Sequence, residues 1–211
     1  MTSVPLLECA DIAFERDDLP LFQGVSFQLF PSHAVQIAGA NGAGKTTLLR
    51  ILATSLAATS GDILWQGSSV AGRLAAYRGD MLYLGHSAGI KPSLTPRENL
   101  AWFFRLFPSS GGDIDDALRR VNLAGFEDTP VHTLSAGQQR RVALARLVLS
   151  RARLWLLDEP FTAIDVQGVA GLEQLMADHL AGGGGVLLTS HQRLSLANLR
   201  VLQLESYAAV H

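Results

Sequence analysis

The chain has 211 residues, 48% of them hydrophobic, enough for one well-filled α/β domain. A formal charge of −2 gives no electrostatic case for nucleic acid as a main partner, and the single cysteine, Cys9, excludes an internal disulfide and fits a reducing compartment. No apolar run approaches the ~20 residues that cross a bilayer, and the first residues lack the basic-then-apolar pattern of a secretory signal.

In chain order, Leu7 to Phe14 and Val25 to Phe30 read as short strands, separated by the turn-rich Glu15 to Pro20 and Gln23-Gly24. They predict a small antiparallel addition at the N-terminus. Four later apolar runs each end in a polar residue. Val35 to Ala38 leads into Gly39, and Met81 to Gly85 leads to His86. Leu154 to Leu157 leads to Asp158-Glu159, and Val186 to Ser190 leads to His191. Runs without alternation mark strands buried on both faces, as in a parallel sheet covered by helices. Such sheets bind ligands outside their carboxyl edge, so the four polar ends are expected together. Between them, Pro96 to Phe107 and Asp113 to Asn122 predict helices joined by the loop 108–112. Gly182 to Gly185 reads as a flexible connection into the last core strand. The reading is one α/β domain over 1–211: a mostly parallel core sheet, the N-terminal β addition and a helical subdomain inserted at about 87–150.

Gly39-Ala40-Asn41-Gly42-Ala43-Gly44-Lys45-Thr46 has the pattern G-x-x-x-x-G-K-T of a phosphate-binding P-loop, between a strand and the helix opening at Thr47. Glycines let the backbone turn its N–H groups around an anion, and the helix adds its positive end. Lys45 is suited to β- and γ-phosphate charge and the Thr46 hydroxyl to Mg²⁺, which makes ATP the expected ligand. Asp158 would hold Mg²⁺ through its water shell, while Glu159 orients and polarises the attacking water. A pair of acids capping the next helix is the competing account. Ser135 would cap a helix whose arginines (Arg140, Arg141, Arg146) read as a solvated face.

These motifs resemble those of the nucleotide-binding subunit of ATP-binding-cassette transporters over nearly the whole chain. The signature, usually L-S-G-G-Q, matches Leu134-Ser135-Ala136-Gly137-Gln138, the loop usually written S-A-L-D matches Thr162-Ala163-Ile164-Asp165, and the switch histidine matches His191. The resemblance implies a P-loop NTPase with Gly39 to Thr47 on ATP and Glu159 and His191 catalytic. It also implies a head-to-tail homodimer in which Ser135, Ala136, Gly137 and Gln138 meet the partner's ATP and Asp165 lies in the dimer loop. Phe14 falls where family members stack an aromatic on adenine; a simple core position is the other reading. His86 stands where the family usually carries a glutamine that reaches Mg²⁺; an ordinary strand-end histidine is its alternative.

The segments Leu84-Gly85-His86, Gly89-Ile90-Lys91, Glu98-Asn99-Leu100 and Gln138-Gln139-Arg140-Arg141 look like the cassette of the cytochrome c maturation (haem exporter) system. That resemblance implies integral membrane subunits as partners, contact with haem only indirectly, and a peripheral place on the cytoplasmic face of the bacterial inner membrane. The resemblance implies that ATP drives either haem export or release of a haem-loaded periplasmic chaperone. Another small-molecule exporter, or a soluble cassette acting on nucleic acid or the ribosome, are the rivals. Leu100, Phe103, Phe104 and Phe107 share one helix face and are expected in a core. Trp102 lies off that face, either in a groove for a membrane subunit or packed within the helical section.

Overall fold

The computed structural model describes residues 4–107 and 110–208. Pro108 and Ser109 of the expected interhelical loop lie outside them. In chain order the elements are β1 (Leu7–Arg16), β2 (Leu19–Leu29), β3 (Ala34–Ala38), α1 (Lys45–Leu52), β4 (Ser60–Trp65), β5 (Ser68–Ser69), α2 (Leu74–Gly79) and β6 (Met81–Leu84). Then follow α3 (Pro96–Leu106), α4 (Ile114–Arg120), α5 (Ala136–Leu149), β7 (Leu154–Asp158), α6 (Val166–Ala181), β8 (Gly185–Thr189) and β9 (Leu199–Gln203).

Five strands form a wholly parallel sheet in the order β6-β7-β8-β3-β9. Side chains alternate between its two faces, as the pleat requires. Leu154, Leu156 and Leu187 pack with Leu48, Leu49 and Ile51 of α1 and with the antiparallel sheet. Trp155, Leu157, Val186 and Leu188 pack instead with Val142 and Leu144 of α5 and Leu172 and Met176 of α6. Burial on both faces is why these runs lack polar alternation. The pairing puts Asp158 level with Thr189 and Ile37 level with Thr189 on the other side, so β3, β7 and β8 end at one edge.

The antiparallel sheet is larger than the sequence predicts, with four strands in the order β2-β1-β4-β5. β2 also runs through the expected turn at Gln23-Gly24, where Gly24 takes φ +71 and the chain stays in the strand. β9 is a second addition: the chain returns after His191 and pairs with β3, so Val186 to Ser190 is not the last core strand. Of the predicted glycine linker, Gly185 is instead a buried strand residue paired with Leu154, and the Gly184 amide donates to the His179 carbonyl at 3.0 Å.

The helical section between β6 and β7 is built from strong local signals. Thr95 and Glu98 form a reciprocal capping box with Pro96 in the first turn of α3, and Asp113 caps α4. Leu100 and Phe103 are buried, and Phe104 and Phe107 pack at the edge of the same core. Trp102 is 42% exposed, and Lys91 Nζ, from the same section, lies 3.9 Å from its ring centroid.

Candidate active site

The P-loop leaves the end of β3 and turns on three positive-φ glycines, Gly39 (+152), Gly42 (+90) and Gly44 (+96). Gly44 caps α1 without a side chain, and a Cβ there would lie 2.8–2.9 Å from Leu21 and Phe22. Backbone N–H groups and the positive end of α1 therefore face one small space. Lys45 folds across the loop, donating to the carbonyls of Gly39 (2.7 Å) and Ala40 (3.0 Å). The Ala40 amide donates to Glu205 Oε1 at 2.6 Å, so the turn after β9 steadies the loop. Above it lies a cavity of about 260 Å³ walled by Asn41, Gly42, Gly44 to Thr47 and Glu159.

Arg16 and Leu21 complete that cavity and Phe14 does not line it. Phe14 packs at the edge of the core with its ring centroid 6.3 Å from that of Phe22. Around it β1 shifts register repeatedly, and Asp11 takes φ +54.

Asp158 is 1% exposed. Its Oδ1 accepts from the hydroxyls of Thr46 (3.1 Å) and Thr189 (2.8 Å), while its buried Oδ2 has no partner among the described residues. A buried carboxylate oxygen without a donor is costly, and a hard cation or its water relieves it. Among the described residues no group of three His, Cys, Asp or Glu side chains could hold a metal. The donor set fits Mg²⁺ bound through Thr46 and Asp158, with water and phosphate oxygens as the other ligands. Glu159 follows in the left-handed region at φ +45. Its amide donates to Thr189 Oγ1 (2.8 Å), and His191 Nε2 lies 3.4 Å from its Oε1. Gln36 on β3 anchors the histidine loop, donating to the carbonyls of Ser190 (2.9 Å) and Gln192 (3.1 Å).

A second cavity of about 420 Å³ joins Thr46 and Asp158 to His86, whose exposed side chain hangs from the loop after β6. Two arginines of α5 grip that loop: Arg140 donates to the carbonyls of Gly85 and His86, and Arg146 to those of Ala88 and Gly89. Arg140 is 6% exposed, which overturns its reading as a solvated residue. Burial pulls its guanidinium below its ordinary pKa, while Asp158 and Glu159 pull it back up. Thr189, Gln36 and Arg140 are the site residues that motif reading missed. The one available signal for Arg140 was its place on a helical stripe with Ala143, Leu144 and Leu147.

The signature opens α5. Ser135 and Gln138 form a reciprocal capping box, with 3.2 and 2.9 Å bonds. Ser135 and Ala136 are exposed, and none of residues 135–138 lines either cavity. A Cβ at Gly137 would lie 2.6 Å from the Ala163 carbonyl oxygen. Asp165 caps α6 and meets Arg141 at 2.5 Å; the Gly168 amide and then Arg141 hold its carboxyl below the usual range.

A family model described as "ABC transporter" matches residues 22–162. The cytochrome c biogenesis ATP-binding export protein CcmA of Salmonella typhi is 52% identical over 189 residues, covering 90% of this chain and 91% of that protein. The CcmA protein of Escherichia coli strain K12 is 50% identical over 196 residues, 93% of this chain and 94% of that one. In structure, a Pyrococcus furiosus protein described as an ABC transporter ATP-binding protein gives a TM-score of 0.83 at 25% identity, covering 96% of this chain and 99% of the other. An ATP-binding cassette solved as a dimer in a post-hydrolysis state with ADP and Pi gives 0.80 at 20% identity, with 94% of each chain covered, and so shares the fold.

Proposed function

The chain belongs to the ABC transporter family and, within it, to the cytochrome c biogenesis ATP-binding export proteins, and on that premise we propose that it is the ATPase subunit of a membrane complex for c-type cytochrome assembly. The observation that carries the chemistry is the meeting of Lys45, Thr46, Asp158, Glu159 and His191 at one edge of the parallel sheet. ATP lies with its phosphates on the amides that open α1 and on Lys45. Mg²⁺, when bound at Thr46 and Asp158, neutralises β- and γ-phosphate charge. Glu159 accepts a hydrogen bond from a water and aims it at the γ-phosphorus. The water oxygen forms the new P–O bond and the bridging P–O bond to ADP breaks; one water proton stays on the departing hydrogen phosphate and the other passes by way of Glu159 to solvent. His191 lies beside Glu159, where it would orient it, and His86 shares the second cavity with Thr46 and Asp158, from which it would meet the water shell of a bound Mg²⁺.

One chain supplies half of the pocket. Two copies pair head to tail, and Ser135 and Gly137 close on the γ-phosphate held by the other copy, with Asp165 at the contact. The exposed, unused helix start at Ser135 and Ala136 supports that pairing. No helix among the described residues is long and apolar enough to cross a membrane. We assign the chain a peripheral place on the cytoplasmic face of the bacterial inner membrane, against integral subunits that dock near the exposed Trp102 and Leu106 of α3. ATP then drives haem export or release of a haem-loaded periplasmic chaperone, and this subunit meets haem only indirectly.

Glu159→Gln tests the reading: nucleotide binding persists while turnover falls to a small remainder. Wild-type hydrolysis in that variant sinks the assigned role of Glu159. Deleting the gene abolishes c-type cytochromes in a haem stain; normal cytochromes would return the protein to another small-molecule exporter.

A further inference from the structure

Arg140 sits in the second turn of α5 with its guanidinium buried among carbonyl oxygens and bonded to no carboxylate. Its partners are Asp158 (3.1 Å), Glu159 (3.0 Å), Gly85 (3.1 Å), His86 (3.4 Å) and Pro160 (3.5 Å). Carbonyls gather there because β6 and β7 end side by side and leave the sheet together. Each needs a donor, and a guanidinium offers five N–H groups in a fixed planar fork. Glu159 needs this most, since φ +45 is an uncommon, strained setting for a side-chain-bearing residue. Side chains from other elements reach both of its backbone groups: Thr189 accepts from its amide, and Arg140 donates to its carbonyl (3.0 Å), which also takes the Thr162 amide within its own turn (3.2 Å).

We propose that Arg140 is a positioning residue for hydrolysis, holding Glu159 and His86 in place around the Thr46–Asp158 site and tying both to the helix that starts at Ser135. The inference rests on the reading of Glu159 as the residue that orients the attacking water. Arg146 adds a second grip two turns along, on Ala88 and Gly89, so α5 and the His86 loop form one unit. A shift of α5 is thereby passed to the backbone of Glu159 without crossing the P-loop.

The test compares Arg140→Gln and Arg140→Lys in the full chain by steady-state ATPase, nucleotide titration and thermal unfolding. Misplacing a catalytic group by about 1 Å costs on the order of a hundredfold, so Arg140→Gln lowers kcat about that much. Its KM and nucleotide affinity stay within about twofold, since the P-loop contacts are untouched. Arg140→Lys, which keeps the charge but reaches fewer carbonyls, recovers about tenfold of the loss. In a Glu159→Gln background, adding Arg140→Gln lowers the residual turnover by less than about twofold, as residues acting through one another do. Turnover of Arg140→Gln within about threefold of the parent, or an undiminished loss in the Glu159→Gln background, overturns the proposal. If Arg140→Gln does not fold, Arg140→Lys carries the same readouts. A fully active Glu159→Gln would strike the underlying reading instead; an inactive one beside a fully active Arg140→Gln strikes only this inference.

Discussion

The loops at Gly39–Thr46 and Leu134–Gln138 both carry glycine and both open a helix, yet their helix starts are built in opposite ways. The first is capped by Gly44 with no side chain, so its amides stay open towards a cavity walled by Lys45 and Glu159. The second is closed by its own side chains, Ser135 and Gln138 bonding each other's backbone, and it faces outwards. Their glycines differ too. Gly44 is required by a left-handed φ and by Phe22, whereas Gly137 is required only by the Ala163 carbonyl packed against it. A site that grips phosphate unaided needs free donors, and a surface that meets an already-held phosphate can satisfy its own donors first.

Lys45→Ala should break the first half most severely. Hydrogen bonds to charged groups contribute about 1.5–3 kcal/mol, so nucleotide affinity should fall by about tenfold to a hundredfold in a titration, with turnover gone. Unchanged affinity would mean that Lys45 keeps its bonds to Gly39 and Ala40 and never reaches phosphate. Gly137→Ala should act on the second half by packing alone. Overpacking costs about 1–3 kcal/mol, and each kcal/mol lowers the melting temperature of a chain this size by about 2–4 °C. Affinity for nucleotide in the isolated chain should not move. A melting temperature equal to the parent's would show that the Ala163 loop yields freely. Ser135→Asp is subtler. Aspartate caps as well as serine, so stability should stay within about 0.5 kcal/mol, but the added charge opposes a partner's γ-phosphate. ATP-dependent dimerisation in a Glu159→Gln background, followed by size exclusion, should be lost. Its survival would leave Ser135 as a cap and nothing more.

The contrast also marks how far sequence reasoning reaches. The parallel strands are legible because Leu154–Leu157 and Val186–Leu188 are apolar on both faces, and a motif such as G-x-x-x-x-G-K-T states its own backbone needs. β4 and β9 are not, because Ser60, Gly61 and Asp62 in the one and Arg200 and Gln203 in the other break up the apolar run, and both join sheets through pairings distant in sequence. Thr189 looks like any strand-end threonine until register sets it beside Asp158. Arg140 is harder still: its helical stripe hints at burial, but nothing local foretells the five carbonyls brought to it from two other segments.

The smallest expected effect concerns the base, where the resemblance pointed to Phe14 and the cavity presents Arg16. Phe14 and Arg16 are two residues apart on β1, and of the two only Arg16 walls the P-loop cavity. Phe14 contributes to the core edge, so Phe14→Ala should lower thermal stability and leave nucleotide affinity within about twofold. Arg16 can lay its planar guanidinium on an adenine, an interaction of about 0.5–1 kcal/mol at an exposed site, so Arg16→Ala should weaken ATP binding about twofold to fivefold. Arg16→Lys separates plane from charge. If lysine restores affinity for ATP and tripolyphosphate alike, Arg16 acts on phosphate. If lysine fails to restore ATP affinity while Arg16→Ala leaves tripolyphosphate binding intact, the guanidinium is the base platform in place of the aromatic ring. An Arg16→Ala variant with full affinity beside a weakened Phe14→Ala would return the platform to Phe14.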